Sequence, residues 1–113
     1  MRRFFSILAL YLSLALPAAA HSPVESTTPV DDSIVASAPE TISMVFGKPV
    51  MLTKVRLENG GQTTDLDLAG SKGFATEFAL PAGAELSGPC TVEWRALAQD
   101  GHVMKGSFTF NVE

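Results

Sequence analysis

The sequence predicts a single all-β domain, an immunoglobulin-like β-sandwich of about seven strands. Apolar and polar residues alternate in several short runs, which is the period of a half-buried strand. Turn-forming residues recur about every 8–12 positions, a spacing typical of antiparallel sandwiches and barrels, and no segment shows the period of an amphipathic helix. The chain has 113 residues, 46% of them hydrophobic and 18% charged. That length and composition fit one globular domain.

Seven runs are predicted as strands, and turn-forming residues separate them. They cover residues 34–36, 41–46, 50–57, 64–68, 74–80, 90–97 and 103–112. Within a strand, side chains two residues apart share a face, and we expect the apolar faces to be buried. Those faces comprise Ile42, Met44 and Phe46; Met51, Val55 and Leu57 with Thr53; Phe74, Phe78 and Leu80; Cys90, Val92, Trp94 and Ala96; and Phe108, Phe110 and Val112.

The segments between these runs are predicted as turns. Gly47-Lys48-Pro49 is expected to turn the chain between the second and third runs. Asn59-Gly60-Gly61 is a stronger signal, because Asn and Gly tolerate positive φ. Gln99-Asp100-Gly101-His102 predicts a hairpin between the last two strands.

The N-terminus has the three parts of a secretory signal peptide. Two arginines precede an apolar run over residues 4–16, and three alanines end at Ala20. We predict that residues 1–20 are removed on export and that residues 21–113 form the mature domain. An uncleaved membrane anchor is the alternative, but the apolar run is shorter than the roughly 20 residues that span a bilayer. Loss of two arginines leaves 6 basic residues against 12 acidic ones, so the net charge changes from -4 to -6.

Several classes of function are disfavoured by the residues themselves. An acidic chain lacks the clustered Lys and Arg that nucleic-acid binding needs, so no nucleic-acid partner is expected. Cys90 is the only cysteine, which excludes an intramolecular disulfide. It shares a predicted face with Trp94, so we interpret it as a buried structural thiol rather than a nucleophile. The sequence also lacks a nucleophile elbow and the spaced carboxylate pair of a glycoside hydrolase.

The residues that carry chemistry point to a metal site. Cleavage after Ala20 would place a free amine and an imidazole on His21, and both can bind one metal as a chelate. Asp100 and His102 lie two residues apart in a short loop, so their side chains can reach the same point. Three nitrogens and one oxygen suit Cu(II) or Ni(II), whereas zinc accepts the same donors in a tetrahedron. The alternative is that Asp100-Gly101 is an ordinary hairpin turn followed by a surface histidine.

Both ends of the predicted mature chain resemble the CopC-type periplasmic copper-binding proteins. The predicted mature start, HSPVESTTP from His21, is similar to the family's N-terminus. The segments CTVEWR from Cys90 and QDGHVMKGSFTF from Gln99 are similar to its C-terminal signature. The resemblance implies a Greek-key β-sandwich in the periplasm. It also implies that His21 chelates Cu(II) through its amine and ring, and that Asp100 and His102 complete the site.

The resemblance further implies a role in copper resistance or delivery, with a CopD-type inner-membrane protein or another copper carrier as partner. Some members have a second, Cu(I) site in a Met-rich loop, but residues 57–73 contain neither Met nor His. We therefore expect one Cu(II) per chain and no strong Cu(I) site. Some members add a carboxylate from an early strand. The matching position here is near Ser43, which leaves Glu25 and Glu40 as alternatives.

Three functions follow as hypotheses. The first is a non-enzymatic, monomeric copper-binding protein that sequesters or delivers Cu(II). The second is a small copper oxidoreductase, since a terminal-histidine brace also occurs in polysaccharide monooxygenases. Those enzymes are larger and have an aromatic substrate platform, whereas this chain has a single tryptophan. The third is an adhesion or scaffold sandwich that binds no metal.

Overall fold

The computed structural model describes residues 23–83 and 85–113, and every regular element in this part of the chain is a β-strand. The predicted fold class is confirmed. The strands are β1 (Val24–Thr28), β2 (Ser33–Val35), β3 (Thr41–Asn59), β4 (Gln62–Asp65), β5 (Ala75–Pro81), β6 (Gly88–Ala98) and β7 (Val103–Val112). The predicted signal peptide and His21 lie outside the described residues.

The long strand β3 belongs to both layers of the sandwich. Its first half, up to Phe46, pairs with β1 and β5, and its second half, from Val50, pairs with β4 and β6. Val50, at the junction of the halves, also pairs with Ala75 of β5. The second layer continues through β7 to β2, which runs parallel to β7. The prediction of a turn at Gly47-Lys48-Pro49 was therefore wrong. These residues form a bend at which one continuous strand crosses from one layer to the other.

The core lies between the two layers. Trp94 of β6 meets Phe46 of β3 edge-on, with ring centroids 5.2 Å apart, and Phe46 meets Phe78 of β5 at 5.8 Å. All three rings are buried. Edge-to-face pairs at these separations are the favoured geometry for aromatic rings. The predicted inward faces of β6 and β7 are confirmed, since Cys90, Val92, Trp94, Ala96, Phe108, Phe110 and Val112 are all buried.

The structure corrects three details of the strand prediction. β1 was missed, because the sequence VESTT has little apolar alternation. Phe74 was expected to face inward but precedes β5 and is 47% exposed. In the second half of β3, Val50 and Leu52 are buried instead of Met51 and Thr53. A register shift between Leu52 and Lys54 opposite β6 explains this, since an extra residue reverses the alternation beyond it.

Candidate metal centre

The loop between β6 and β7 is a tight hairpin, as predicted. The backbone N–H of Ala98 donates to the carbonyl of His102 at 2.8 Å, and the N–H of Gly101 donates to the carbonyl of Ala98 at 3.0 Å. Gly101 has φ of 91°, a conformation that favours glycine. Asp100 and His102 therefore flank a residue that holds the loop closed.

Asp100 and His102 contact each other through two interactions. Asp100 Oδ1 accepts the backbone N–H of His102 at 3.0 Å, and Asp100 Oδ2 lies 2.7 Å from His102 Nδ1. Both interactions lower the pKa of Asp100 from its ordinary value, and the backbone hydrogen bond from His102 has the larger effect. When His102 donates its Nδ1 hydrogen to Asp100, the Nε2 lone pair is the one available to a metal. The His102 side chain is 82% exposed, so solvent and ions reach it freely.

The described chain begins at the same end of the sandwich as this hairpin. The carbonyl of Pro23 accepts the N–H of Gly47 at 3.1 Å, and Val24 pairs with Phe46. On the other side of the bend in β3, Val50 pairs with Ala98, the last residue of β6. The start of β1 and the β6–β7 hairpin therefore flank one bend.

The structure separates the two alternative carboxylates. The Glu25 carboxylate packs over Gly47, with Oε1 3.1 Å from the position that a Cβ there would occupy. Glu40 precedes Thr41 at the other end of the first half of β3, roughly 20 Å along the chain from Phe46. Glu25 is thus the carboxylate at the hairpin end. Nothing in the sequence pattern distinguishes these two residues, because the distinction depends on how β1 pairs with β3.

The sulfur donors of the described residues differ in how deeply they are buried. Met44 is completely buried in the core, while Met51 and Met104 are half-buried. The Cys90 thiol is also buried, and burial raises its pKa despite a hydrogen bond from Asn59. Residues 23–83 and 85–113 contain no group of three or more His, Cys, Asp or Glu side chains arranged to hold a metal ion. Asp100 and His102 are a pair, and a complete copper site needs donors from elsewhere.

Residues 24–113 match the family model of the CopC domain. The chain belongs to the CopC domain family. This match covers the whole sandwich and begins three residues after His21. In the part of the chain that the structure describes, no helix has the length and apolar character needed to cross a membrane.

Two curated relatives of this CopC domain are named copper resistance protein C. The one from Escherichia coli is 28% identical over 122 residues, covering 92% of this chain and 90% of that protein. The one from Pseudomonas syringae pv. tomato is 28% identical over 120 residues, covering 97% and 94%. The likeness therefore extends over nearly the full length of both proteins.

Solved structures support the fold. CopC from Methylosinus trichosporium OB3b superposes with a TM-score of 0.68 at 24% identity, over 82% of this chain and 94% of that one. PcoC, a copper resistance protein from Escherichia coli, gives 0.56 at 22% identity, over 80% and 98%. The sandwich of this CopC domain is thus the architecture of its relatives.

Proposed function

We propose that this CopC domain is a periplasmic protein that binds one Cu(II) per chain and sequesters or delivers it. The observation that carries the proposal is the position of the Asp100–His102 pair, at the end of the sandwich where the chain enters β1. The chain belongs to the CopC domain family, and two curated relatives are named copper resistance proteins. This supports copper as the metal. The role is binding rather than catalysis.

In the proposed site, removal of residues 1–20 exposes His21 as the first residue. Its amine and one ring nitrogen chelate the metal, His102 contributes its Nε2, and Asp100 contributes an oxygen. A carboxylate has about four lone-pair sites, so Asp100 can hold His102 and still face the metal. Three nitrogens and one oxygen form the tetragonal set that Cu(II) prefers. Glu25 lies at the same end as a further carboxylate.

The proposal includes the compartment, the oligomeric state and the partner. Export would place the protein in the periplasm as a monomer, with a CopD-type inner-membrane protein or another copper carrier as donor or acceptor. The exposed position of His102 supports exchange, since a partner can approach the metal without opening the fold.

The test compares Cu(II) affinity in the protein that starts at His21 with affinity in three altered proteins. One extra residue before His21 keeps both imidazoles but moves the free amine away, so the two-point chelate is lost. His102→Ala removes a nitrogen donor, and Asp100→Asn removes the charge. We expect the extension and His102→Ala to weaken binding by about 100-fold or more, because even outer-shell changes at metal sites cost 10–100-fold. We expect a smaller loss for Asp100→Asn, since water can replace one oxygen donor.

Asp67→Asn is the matched control. Asp67 Oδ1 accepts the backbone N–H of Ala69 at 2.8 Å, the same two-residue contact that Asp100 makes, but with no histidine beside it. The Cu(II) affinity of Asp67→Asn should equal that of the unaltered protein. Quenching of Trp94 fluorescence and the Cu(II) electron paramagnetic resonance spectrum report binding. Unchanged affinity and spectra in the extended protein would show that the His21 amine is not a ligand.

A further inference from the structure

Three basic residues lie side by side on the outer face of the second layer. Lys54 of β3 pairs with Arg95 of β6, and Arg95 pairs with Lys105 of β7. Side chains in such directly opposite positions are about 5 Å apart at Cβ, and like charges there destabilise a sheet. Among the described residues, none of the three forms an ion pair; Arg56 beside them binds Asp65 at 3.4 Å. The fold thus holds this basic row together without neutralising it.

The basic row is unusual for the composition of the domain. The chain has 8 basic and 12 acidic residues, and two of the basic ones, Arg2 and Arg3, precede the described part. Residues 23–113 therefore contain 6 basic side chains against 12 acidic ones, and half of the basic ones stand in this row. Interspersed charges would be more favourable for a monomer's surface. Concentrating the scarce positive charge creates a local field of the opposite sign to the rest of the domain.

An apolar row adjoins the basic row on the side of the hairpin. Leu97 and Val103 lie two residues from Arg95 and Lys105 and share their face, and Met51 pairs with Leu97. Val103 is 74% exposed, and Leu97 and Met51 are half-buried.

The basic side chains border a shallow groove of about 460 Å³ that Glu93 and Ser107 also line. The outer face therefore presents an apolar contact on the hairpin side of the basic row and a groove with more basic than acidic side chains on its other side.

We propose that this face docks an acidic, extended segment of a partner protein. Charge complementarity selects the occupant: carboxylates along the segment would pair with Lys54, Arg95 and Lys105, while the apolar row excludes water beside them. Two of the three strands that carry the row, β6 and β7, lead into the hairpin, so a partner that also covers the apolar row lies beside the hairpin. That the partner is a donor or acceptor of copper rests on the proposed function; the docking itself does not.

A membrane surface fits this face less well. Interfacial binding uses Trp, Phe or Leu side chains that enter the lipid. In the described part of the chain, the exposed large hydrophobic residues are Val30, Ile34, Phe74 and Val103, and only Val103 adjoins the basic row. The excess of acidic residues elsewhere on the domain also opposes approach to anionic lipid.

The test is a titration of the copper-free protein with an oligoglutamate peptide. Binding is monitored by NMR through the chemical shifts of the backbone amides, at low and at physiological salt. We expect the shifts to cluster at Lys54, Arg95 and Lys105 and binding to weaken with salt. Arg95→Glu should reduce affinity about five- to tenfold, since it replaces an attraction by a repulsion at the centre of the row. Lys72→Glu is the matched control. It makes the same change of net charge at an exposed residue of the β4–β5 loop that does not line the groove. The affinity of this variant should stay close to that of the unaltered protein.

Three results would overturn the proposal: no binding of the peptide, equal weakening by Arg95→Glu and Lys72→Glu, or binding of phosphatidylglycerol vesicles in place of the peptide. The thermal midpoint of unfolding shows whether the variant is folded. Arg95→Glu places an acidic side chain between two lysines, so it should preserve or raise this midpoint. A Cu(II) titration of Arg95→Glu should give unchanged affinity. Failure of docking is thus measured separately from failure of the copper site.

Discussion

Replacement of Gly106 by alanine tests the packing that joins the hairpin strands to the core. Gly106 of β7 pairs with Trp94 of β6, and the indole covers the glycine. A Cβ at position 106 would lie 2.5 Å from Trp94 Cζ2 and 2.7 Å from Cε2. Real Cβ atoms do not approach ring carbons so closely, so the indole or the strand must shift. The indole has little room, because Trp94 is 3% exposed and its ring meets Phe46 at 5.2 Å.

The expected cost follows from two opposing effects. Overpacking of a well-filled core costs about 1–3 kcal/mol, and loss of glycine's freedom in the unfolded chain returns about 0.4–1 kcal/mol. We expect Gly106→Ala to lower the free energy of unfolding by about 1–2 kcal/mol. For a domain of this size that corresponds to a fall of roughly 5–15 °C in melting temperature. Urea denaturation followed by fluorescence measures it directly, since Trp94 is the only tryptophan.

Gly70→Ala is the control for this experiment. A Cβ at Gly70 has no atom within 4 Å, and no left-handed φ is found there. This substitution should leave the stability unchanged or raise it slightly. If Gly106→Ala proved as stable as Gly70→Ala, with the same native fluorescence, the close packing of Trp94 over Gly106 would be refuted.

Two further predictions concern the opposite end of β6. Asn59 Nδ2 donates to the carbonyls of Ser87 at 2.7 Å and Pro89 at 2.9 Å. Asn59→Ala should therefore lower the free energy of unfolding by about 1–2 kcal/mol, as measured by urea denaturation. An unchanged midpoint would mean that water replaces both bonds at no cost. Burial raises the pKa of Cys90, so the native thiol stays protonated at neutral pH. Iodoacetamide should alkylate it at least about 100-fold more slowly than in urea, and rapid native labelling, followed by mass spectrometry, would contradict this.

Prediction from the sequence succeeded where the signal is local. The alternation in residues 90–97 and 103–112 identified the buried faces of β6 and β7, and Asp100-Gly101 identified the hairpin between them. It failed where a single residue changes the phase. The extra residue between Leu52 and Lys54 exchanges the two faces of β3, and the sequence MLTKV does not mark it. The bend at Gly47 likewise has the composition of a turn, yet the strand continues through it because each half finds partners in a different layer.

The sequence by itself determined the fold class, the family resemblance and the candidate ligands His21, Asp100 and His102, because those properties depend on residue identity and short spacing. The tertiary structure decided which of the described residues share one end of the molecule. Pairing of Val24 with Phe46 and of Val50 with Ala98 brings the start of β1 to the hairpin, and places Glu25 there rather than Glu40. The same pairing aligns Lys54, Arg95 and Lys105. Lys54 and Arg95 are 41 residues apart in the chain, and Arg95 and Lys105 are 10 apart. Strand register, a property of the whole sheet, brings them together.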